Sequence, residues 1–226
     1  MYAIEGAVIA CAGIGSRLGM GLPKCMIEVG GRTVLSRLID QLRPMVPRVH
    51  VVIGYREELI TEYCALHHRD VVLVRNPEFR STNTAHSLML GSVGFSRKVL
   101  FVDGDLIIES ASLTRFIKRA AREENLLGIT RAKSSEAVFV STRPALDGQS
   151  TEVERFHREP PGEREWANLF TAPPAILQQG DRYVYECLEA HLPIAAEELD
   201  LYEIDTPEDL AKAKANLDMN SFLHLP

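Results

Sequence analysis

An α/β fold built on a doubly wound, mostly parallel sheet, with a small antiparallel insertion in its second half, is what this sequence predicts. Three observations carry the prediction. The 226 residues are 46% hydrophobic and 25% charged, which fits a chain that buries roughly 70% of its unfolded surface without disulfide or metal staples and excludes disorder and fibrous repeats. Short apolar runs alternate with helix-period segments through the first half. A glycine-rich loop follows the first apolar run, at the edge of the sheet where open α/β folds bind ligands.

The elements follow in order. Residues 7–12, 49–53, 71–74 and 99–102 are apolar runs that read as buried strands. Between them, Val34, Leu35, Leu38, Ile39 and Leu42 mark one helix face, Leu59, Ile60, Tyr63 and Cys64 a second, and residues 84–91 a third. Leu113, Phe116, Ile117 and Ala120 mark a later helix. Strand–helix alternation of this kind predicts parallel strands with right-handed crossovers, a Rossmann-like arrangement. In the second half, 127–130, 137–141 and 152–156 are strand-like runs with no room for helices between them, hence the antiparallel insertion. Residues 159–163 read as a loop, 170–177 as a strand, 183–192 as a helix and 201–204 as a short strand. Thr206 caps a final helix, with Pro207 in its first turn and Glu208 and Asp209 at its positive end. No linker or repeat divides the chain, so 1–226 is expected to be one domain, with a first half at 1–125 and a second half at 126–226 that carries the last strand and helix.

Charge and cysteine usage narrow the class. With 25 Lys+Arg against 31 Asp+Glu the net charge is −6, which argues against a general nucleic-acid binder. Cys11, Cys25, Cys64 and Cys187 have no zinc or redox spacing and read as buried thiols in a reducing compartment. The His67-His68 pair reads as an exposed helix end. No apolar run approaches membrane-spanning length, and the start of the chain lacks a basic, apolar leader. A soluble, cytoplasmic protein is expected, with no membrane partner.

The strongest local signal is Ala12-Gly13-Ile14-Gly15-Ser16-Arg17-Leu18-Gly19-Met20-Gly21-Leu22-Pro23-Lys24. Its glycines let backbone N–H groups turn toward an anion, and Arg17 and Lys24 add positive charge. A dinucleotide fingerprint needs glycine or alanine where Leu18 stands, and a P-loop needs Gly-Lys-Ser/Thr where Pro23-Lys24-Cys25 stands.

Together with Met26, Val29-Gly30-Gly31, Asn76-Pro77, Thr82-Asn83-Thr84-Ala85-His86-Ser87-Leu88, Asp103-Gly104-Asp105 and Glu203-Ile204-Asp205-Thr206, this loop resembles the signature of the nucleotidyltransferase superfamily. The short segment from Gly19 to Lys24 and the Asn83–Leu88 stretch look most like the phosphocholine, inositol-phosphate and phosphonate cytidylyltransferase branch. The Ala10-Cys11 pair departs from the Leu-Ala usual in the superfamily. The resemblance implies transfer of a nucleotidyl group, CMP from CTP in that branch, to a small phosphorylated alcohol or phosphonate with release of pyrophosphate. A sugar-1-phosphate nucleotidyltransferase and a non-catalytic nucleotide-binding module are the alternatives. A homodimer and the lack of an acyltransferase or β-helix domain are further expectations, and the resemblance makes 1–125 the nucleotide-binding half and 126–226 the acceptor-binding half.

Residue roles follow from the chemistry and the resemblance. Several negative charges meet in such a reaction, so catalysis is positioning and neutralisation. Arg17 and the loop residues Ala12, Gly13, Gly15 and Ser16 suit the triphosphate, and Lys24 the α-phosphate. Asp105 and Asp205 follow apolar strands, and the resemblance assigns them to Mg2+, a hard ion held by a few carboxylates plus phosphate oxygens and water. Asp103 is either a nucleotide-site carboxylate or a turn former. Asp205 is either a metal ligand or a cap on the last helix. Asn83, Thr84 and Ser87 lie by resemblance against the nucleobase and ribose; Asn83 offers a donor and an acceptor to a base edge, or caps the helix, or both. Acceptor-binding candidates are Arg131, Lys133, Glu154, His157, Arg158, Trp166 and Asn168. Trp166, Tyr183, Tyr185 and Tyr202 are the aromatics available for a cationic acceptor.

Overall fold

The computed structural model describes residues 4–133, 137–159, 162–177 and 182–216. In chain order the elements are β1 (Gly6–Cys11), β2 (Glu28–Val29), β3 (Arg32–Thr33), α1 (Val34–Leu42), β4 (Val49–Ile53), α2 (Glu57–His67), β5 (Val72–Arg75), α3 (Thr84–Gly91), β6 (Val99–Asp103) and β7 (Leu106–Ile108). Then come α4 (Ser110–Ala120), β8 (Leu126–Arg131), β9 (Phe139–Pro144), β10 (Thr151–His157), β11 (Arg164–Ala172), α5 (Val184–Glu189), β12 (Ile194–Glu198), β13 (Leu201–Glu203) and α6 (Pro207–Asn216).

A nine-stranded sheet of order β5-β4-β1-β6-β11-β8-β12-β10-β9 organises the molecule. Its first four strands are parallel to one another. Side chains alternate along each strand, so β1 presents Ala7, Ile9 and Cys11 to a core shared with α1, α2 and α4. Val8 and Ala12 point the other way, into a core shared with α3 and α5. Helices therefore cover both faces. Fully buried Leu35, Leu38 and Ile39 on α1 anchor that helix, each contributing about 1.5–3 kcal/mol at most, and Thr33 caps it by accepting from the Ser36 N–H at 3.0 Å.

The second half differs from expectation in extent. The antiparallel part is no small insertion: β11 runs antiparallel to both β6 and β8, β10 antiparallel to β12 and to β9, and only β8–β12 is parallel. The sheet is thus mixed rather than mostly parallel. The strand read at 170–177 is the end of β11, followed by a 3-10 turn at Pro174–Leu177. Residues 164–169 carry Arg164, Glu165, Trp166 and Asn168, whose polarity hid the strand, although its burial alternates along the chain. The helix read at 183–192 is shorter, and β12 follows it. Pro160 and Pro161 of the expected loop, and residues 1–3 of the expected leaderless start, lie outside the described residues. No helix among the described residues is long and apolar enough to cross a membrane. All four cysteines are buried and free.

His68 is not an exposed helix end. It is 3% exposed, its Nε2 lies 2.8 Å from the Ser36 hydroxyl, and Arg43 reaches its Nδ1. Burial, then the Arg43 charge, pulls its pKa down to about 4. A neutral ring therefore serves as part of the α1–α2 packing.

Candidate functional site

The carboxyl ends of β1 and β6 and the end of β13 meet at one cavity of about 530 Å³. The glycine loop leaves β1 there. Two glycines around the cavity have a steric reason, one in this loop and one after β6. Gly15 sits at φ +63°, and a Cβ on it would lie 2.8 Å from Lys24 Cγ, so the lysine stem passes directly over the loop backbone. Gly104 lies under Cys11, whose Sγ would be 2.4 Å from an added Cβ. That close approach lets the Asp103-Gly104-Asp105 turn tuck against β1, where the Gly104 N–H donates to Ala10 O at 2.9 Å.

Lys24 follows Pro23, held at φ −57°, in a 3-10 turn that aims its ammonium inward. Lys24 Nζ donates to Asp105 Oδ2 at 2.9 Å and to Asp205 Oδ1. Arg17 Nη1 reaches the other Asp205 oxygen at 2.6 Å. One chain of charge thus links Arg17, Asp205, Lys24 and Asp105, drawn from residues far apart in sequence. Burial alone pulls the Lys24 ammonium down, but the Asp105 and Asp205 carboxylates outweigh it and hold its pKa well above the ordinary lysine range. Asp205 does not cap α6: Thr206 and Asp209 form that cap, with Asp209 N–H donating to Thr206 Oγ1 at 3.2 Å and Thr206 N–H to Asp209 Oδ2 at 3.1 Å.

Two further carboxyls line the cavity beside this chain. Burial, then the neighbouring Asp105 and Glu203 charges, pushes Asp103 well above the carboxylate range. Among the described residues no hydrogen bond engages its side chain, so it is not spent on the turn. Glu203 is pushed up to about 8, chiefly by burial and then by Asp105, and its Oε2 accepts from Asn168 Nδ2 at 3.4 Å. Sequence reading missed Glu203. The signal was available in strand alternation, which sends Glu203 and Asp205 to one side and fully buried Ile204 to the other.

This donor set suits a magnesium ion. Among the described residues no ready group of three or more metal-binding side chains exists, but Mg2+ takes one or two carboxylates plus substrate phosphates and water. Asp105 Oδ1 is buried with no hydrogen-bond partner, an orphaned oxygen that such an ion would satisfy. Asp105 and Asp205 are the residues that would hold such an ion.

Ala12, Gly13, Gly15, Ser16, Arg17, Lys24, Asn83, Thr84, Ser87 and Asp103 all line the cavity, as do Asp105, Asp205, Arg158, Trp166 and Asn168. Asn83 is a cap: its Oδ1 accepts from His86 N–H at 3.1 Å, and its Nδ2 donates to Arg182 O at 2.9 Å. Both amide atoms thus take part in fixing the start of α3 and the Arg182 backbone beside the cavity. Asn168 owes its place to a bulge: the β11–β8 register shifts between Trp166 and Phe170, and Asn168 there adopts φ 52°.

The acceptor candidates divide. Arg131 and Glu154 do not line the cavity. The Arg131 side chain is 89% exposed, on the edge of an ion pair with Glu198, and Glu154 is exposed on β10 beside buried Val153. Lys133 donates to Leu201 O and His157 contacts Glu159 O, both away from the cavity. Tyr202 packs with the core under α6 rather than in the site. Phe79, Val138, Tyr183 and Tyr185 complete the wall. The Tyr183 and Tyr185 rings stack at 5.9 Å, and the Arg158 guanidinium lies 5.6 Å from the Tyr185 ring centre.

A glycine loop, an inward lysine and two aspartates at the carboxyl edge of an α/β sheet define a nucleotide-transfer type of site. The profile of the MobA-like NTP transferase domain matches residues 7–170, and the chain belongs to that family. It is 30% identical over 184 residues to CMP-5'-(3-aminopropyl)phosphonate synthase of Streptomyces rubellomurinus, covering 76% of this chain and 29% of that protein. It is 28% identical to UTP–glucose-1-phosphate uridylyltransferase AglF of Haloferax volcanii, covering 81% of each. The fold is similar to that of CTP:phosphocholine cytidylyltransferase from Streptococcus pneumoniae, with TM-score 0.72 at 17% identity over 95% of this chain and 100% of that one. The chain spans less than half the length of several curated relatives that it matches.

Proposed function

We propose that this chain is a nucleotidyltransferase that moves CMP from CTP to a small phosphorylated alcohol or phosphonate. An acceptor oxygen attacks the α-phosphorus, the bond from that phosphorus to the bridging oxygen breaks, and pyrophosphate leaves. Arg17 and the loop N–H groups hold the triphosphate, and Lys24 neutralises charge that builds at the α-phosphate. Asp105 and Asp205 hold Mg2+, which when bound supplies further charge neutralisation at the phosphates. Thr84, Ser87 and the shape set by Asn83 form the base side. Arg158, Trp166 and Asn168 form the acceptor side. The observation that carries this reading is the Arg17–Asp205–Lys24–Asp105 chain at the foot of the glycine loop. All four groups are present and assembled, which weighs against a non-catalytic module. The phosphonate synthase relative supports the cytidylyl branch. Free buried cysteines support a reducing, cytoplasmic setting, and a homodimer is open to light scattering.

The test is pyrophosphate release from CTP, UTP, ATP and GTP against a panel of phosphorylated alcohols, phosphonates and sugar 1-phosphates. CTP with Mg2+ should give the highest rate and the largest rise in melting temperature. Preference for UTP or dTTP with a sugar 1-phosphate would instead establish a second reading, a sugar-nucleotide synthase, which the AglF relative favours.

A further inference from the structure

We propose that Arg56, which does not line the cavity, is a positioning residue for the glycine loop: its guanidinium holds the outer half of the loop through the Gly21 carbonyl and so keeps the loop N–H groups set for a triphosphate. The inference rests on the nucleotidyltransferase reading above and adds to it the source of the loop's order.

The turn between β4 and α2 grips the loop at two points. At the root, the Tyr55 N–H donates to Ala12 O at 3.1 Å. Gly54 packs so closely there that an added Cβ would lie 3.0 Å from Ala12 Cβ and 2.7 Å from Phe79 Cβ. At the outer half, Arg56 Nη1 donates to Gly21 O at 3.0 Å. Between those two points lie Gly13, Gly15, Ser16 and Arg17, all of which line the cavity. Residues 19–22 have little else to hold them. Gly19 and Gly21 adopt φ +68° and +66° with open space where a Cβ would stand, and Met20 and Leu22 are exposed. Among the described residues, the bond from Arg56 is the one hydrogen bond that 19–22 make.

The backbone of Arg56 is itself unusual. It sits at φ 47° and ψ 44° where α2 begins, and its side chain makes no capping bond to that helix. The left-handed region is unfavourable for a residue with a Cβ, and glycine would occupy this position without strain. A strained arginine that does not cap its helix points to work done by the side chain. Glu58 Oε1 accepts from Arg56 Nε at 3.2 Å, which orients the fork and leaves Nη1 on Gly21 O. A charged donor makes that bond stronger than a neutral one would. A loop already ordered loses less freedom when a ligand binds. Lys24 is fixed separately, by Pro23, Asp105 and Asp205. Loss of the Arg56 tie therefore loosens the phosphate cradle without displacing the ammonium aimed at the α-phosphate.

The experiment measures Kd for CTP, UTP and inorganic tripolyphosphate with Mg2+, kcat with CTP, and amide hydrogen exchange of residues 15–22 without ligand, for the unmodified protein, Arg56→Met, Arg56→Gly and Arg56→Lys. Arg56→Met removes the donor and keeps the length. Arg56→Gly removes the donor and also relieves the left-handed strain, so it should melt close to the native temperature. In both, Kd for all three ligands should rise together by about tenfold, the scale of a lost charged hydrogen bond, while kcat stays within about threefold of native. Exchange across 15–22 should quicken. Arg56→Lys, which can still donate to Gly21 O, should restore part of the affinity. A residue that served only to start α2 would behave differently: Arg56→Gly would then bind all three ligands as the native protein does, and that result overturns the proposal. Unchanged loop exchange in Arg56→Met and Arg56→Gly, or a fall in kcat as large as the rise in Kd, overturns it as well. A native protein that binds none of the three ligands would remove the nucleotidyltransferase reading itself, whereas native binding with unaltered variants removes the Arg56 tie alone.

Discussion

The two walls of the cavity are assembled on different scales of the chain. The nucleotide wall comes from the loop after β1 and the start of α3, each a short run whose side chains are held by near neighbours: Gly15 beneath Lys24, Asn83 capping its own helix, Asn76 tying Thr82 and Ser87. The opposite wall, proposed for the acceptor, draws Val138, Arg158, Trp166, Asn168 and Glu203 from the segment between α4 and α6, and it depends on a bulge and on strand pairings between distant segments. The difference teaches where chemistry can be built. The groups proposed to meet phosphates sit on rigid, locally determined turns. Those proposed to meet the acceptor sit on a long-range frame that can alter without disturbing the first wall.

The strongest way to break that contrast is at the one place where the walls share residues. Asp105 and Asp205 both bind Lys24, yet Asp205 arrives on the far segment. Asp105→Asn and Asp205→Asn should each abolish turnover, a loss of about a thousandfold or more, with the melting transition retained. EDTA should do the same to the unmodified protein, reversibly on adding Mg2+. Near-normal turnover of either variant at saturating Mg2+ would remove that residue from the metal site.

Next comes a split within the nucleotide wall. Lys24 is held by Pro23 and by two carboxylates, so it acts at one point; Arg17 has a side chain 62% exposed and more freedom. Lys24→Ala should lower kcat by at least about a hundredfold, roughly 2.7 kcal/mol, with a smaller change in nucleotide Kd. Arg17→Ala should mainly raise nucleotide Kd. Intact kcat with weakened binding in Lys24→Ala would show the two roles reversed.

The same contrast explains what could be read in the sequence. The four parallel strands, their helices and the glycine loop were legible because each is a local pattern: an apolar run, a 3.6-residue period, a cluster of glycines with Arg17 and Lys24. Asp105 and Asp205 were legible as cavity carboxylates through their position after apolar strands. β11 was not, because Arg164, Glu165 and Trp166 break the apolar run while their burial alternates only in the presence of β8. Glu203 was overlooked because a glutamate in a two-sided turn region looks solvated until Asp103 and Asp105 are folded beside it. His68 was misjudged because its partners, Ser36 and Arg43, lie on α1 and at its end. Local hydrogen-bond demand can be read from residue type; burial made by distant strands cannot.

A smaller effect is expected on the acceptor wall. Trp166→Ala and Arg158→Ala should raise the acceptor KM by about tenfold, in the range of a lost packing or charge contact, while leaving nucleotide Kd near its native value. Titrating CTP and the acceptor separately checks it. A change in nucleotide Kd that matches the change in acceptor KM would show that the walls are not separable.

The smallest effect sharpens the comparison most, because it concerns residues that share a sheet with the acceptor wall and not its cavity. Arg131 and Glu154 have the residue types that an acceptor phosphate or amine would want. Geometry denies them the role. The Arg131 side chain points to solvent and pairs at 3.9 Å with Glu198, itself about half exposed, and ion pairs of that kind contribute about 0–1 kcal/mol. Glu154 stands on the exposed side of β10, where the register with β9 shifts between Val153 and Arg155. Arg131→Ala and Glu154→Ala should therefore leave kcat, nucleotide Kd and acceptor KM within about twofold of native, and the melting temperature nearly so. Measuring acceptor KM in both variants next to Arg158→Ala makes the test internal, since all three residues lie on neighbouring parts of the same frame. A tenfold rise in Arg131→Ala or Glu154→Ala would mean that the acceptor wall is completed only when substrate is bound, with β8 or β10 turning a new edge into the cavity.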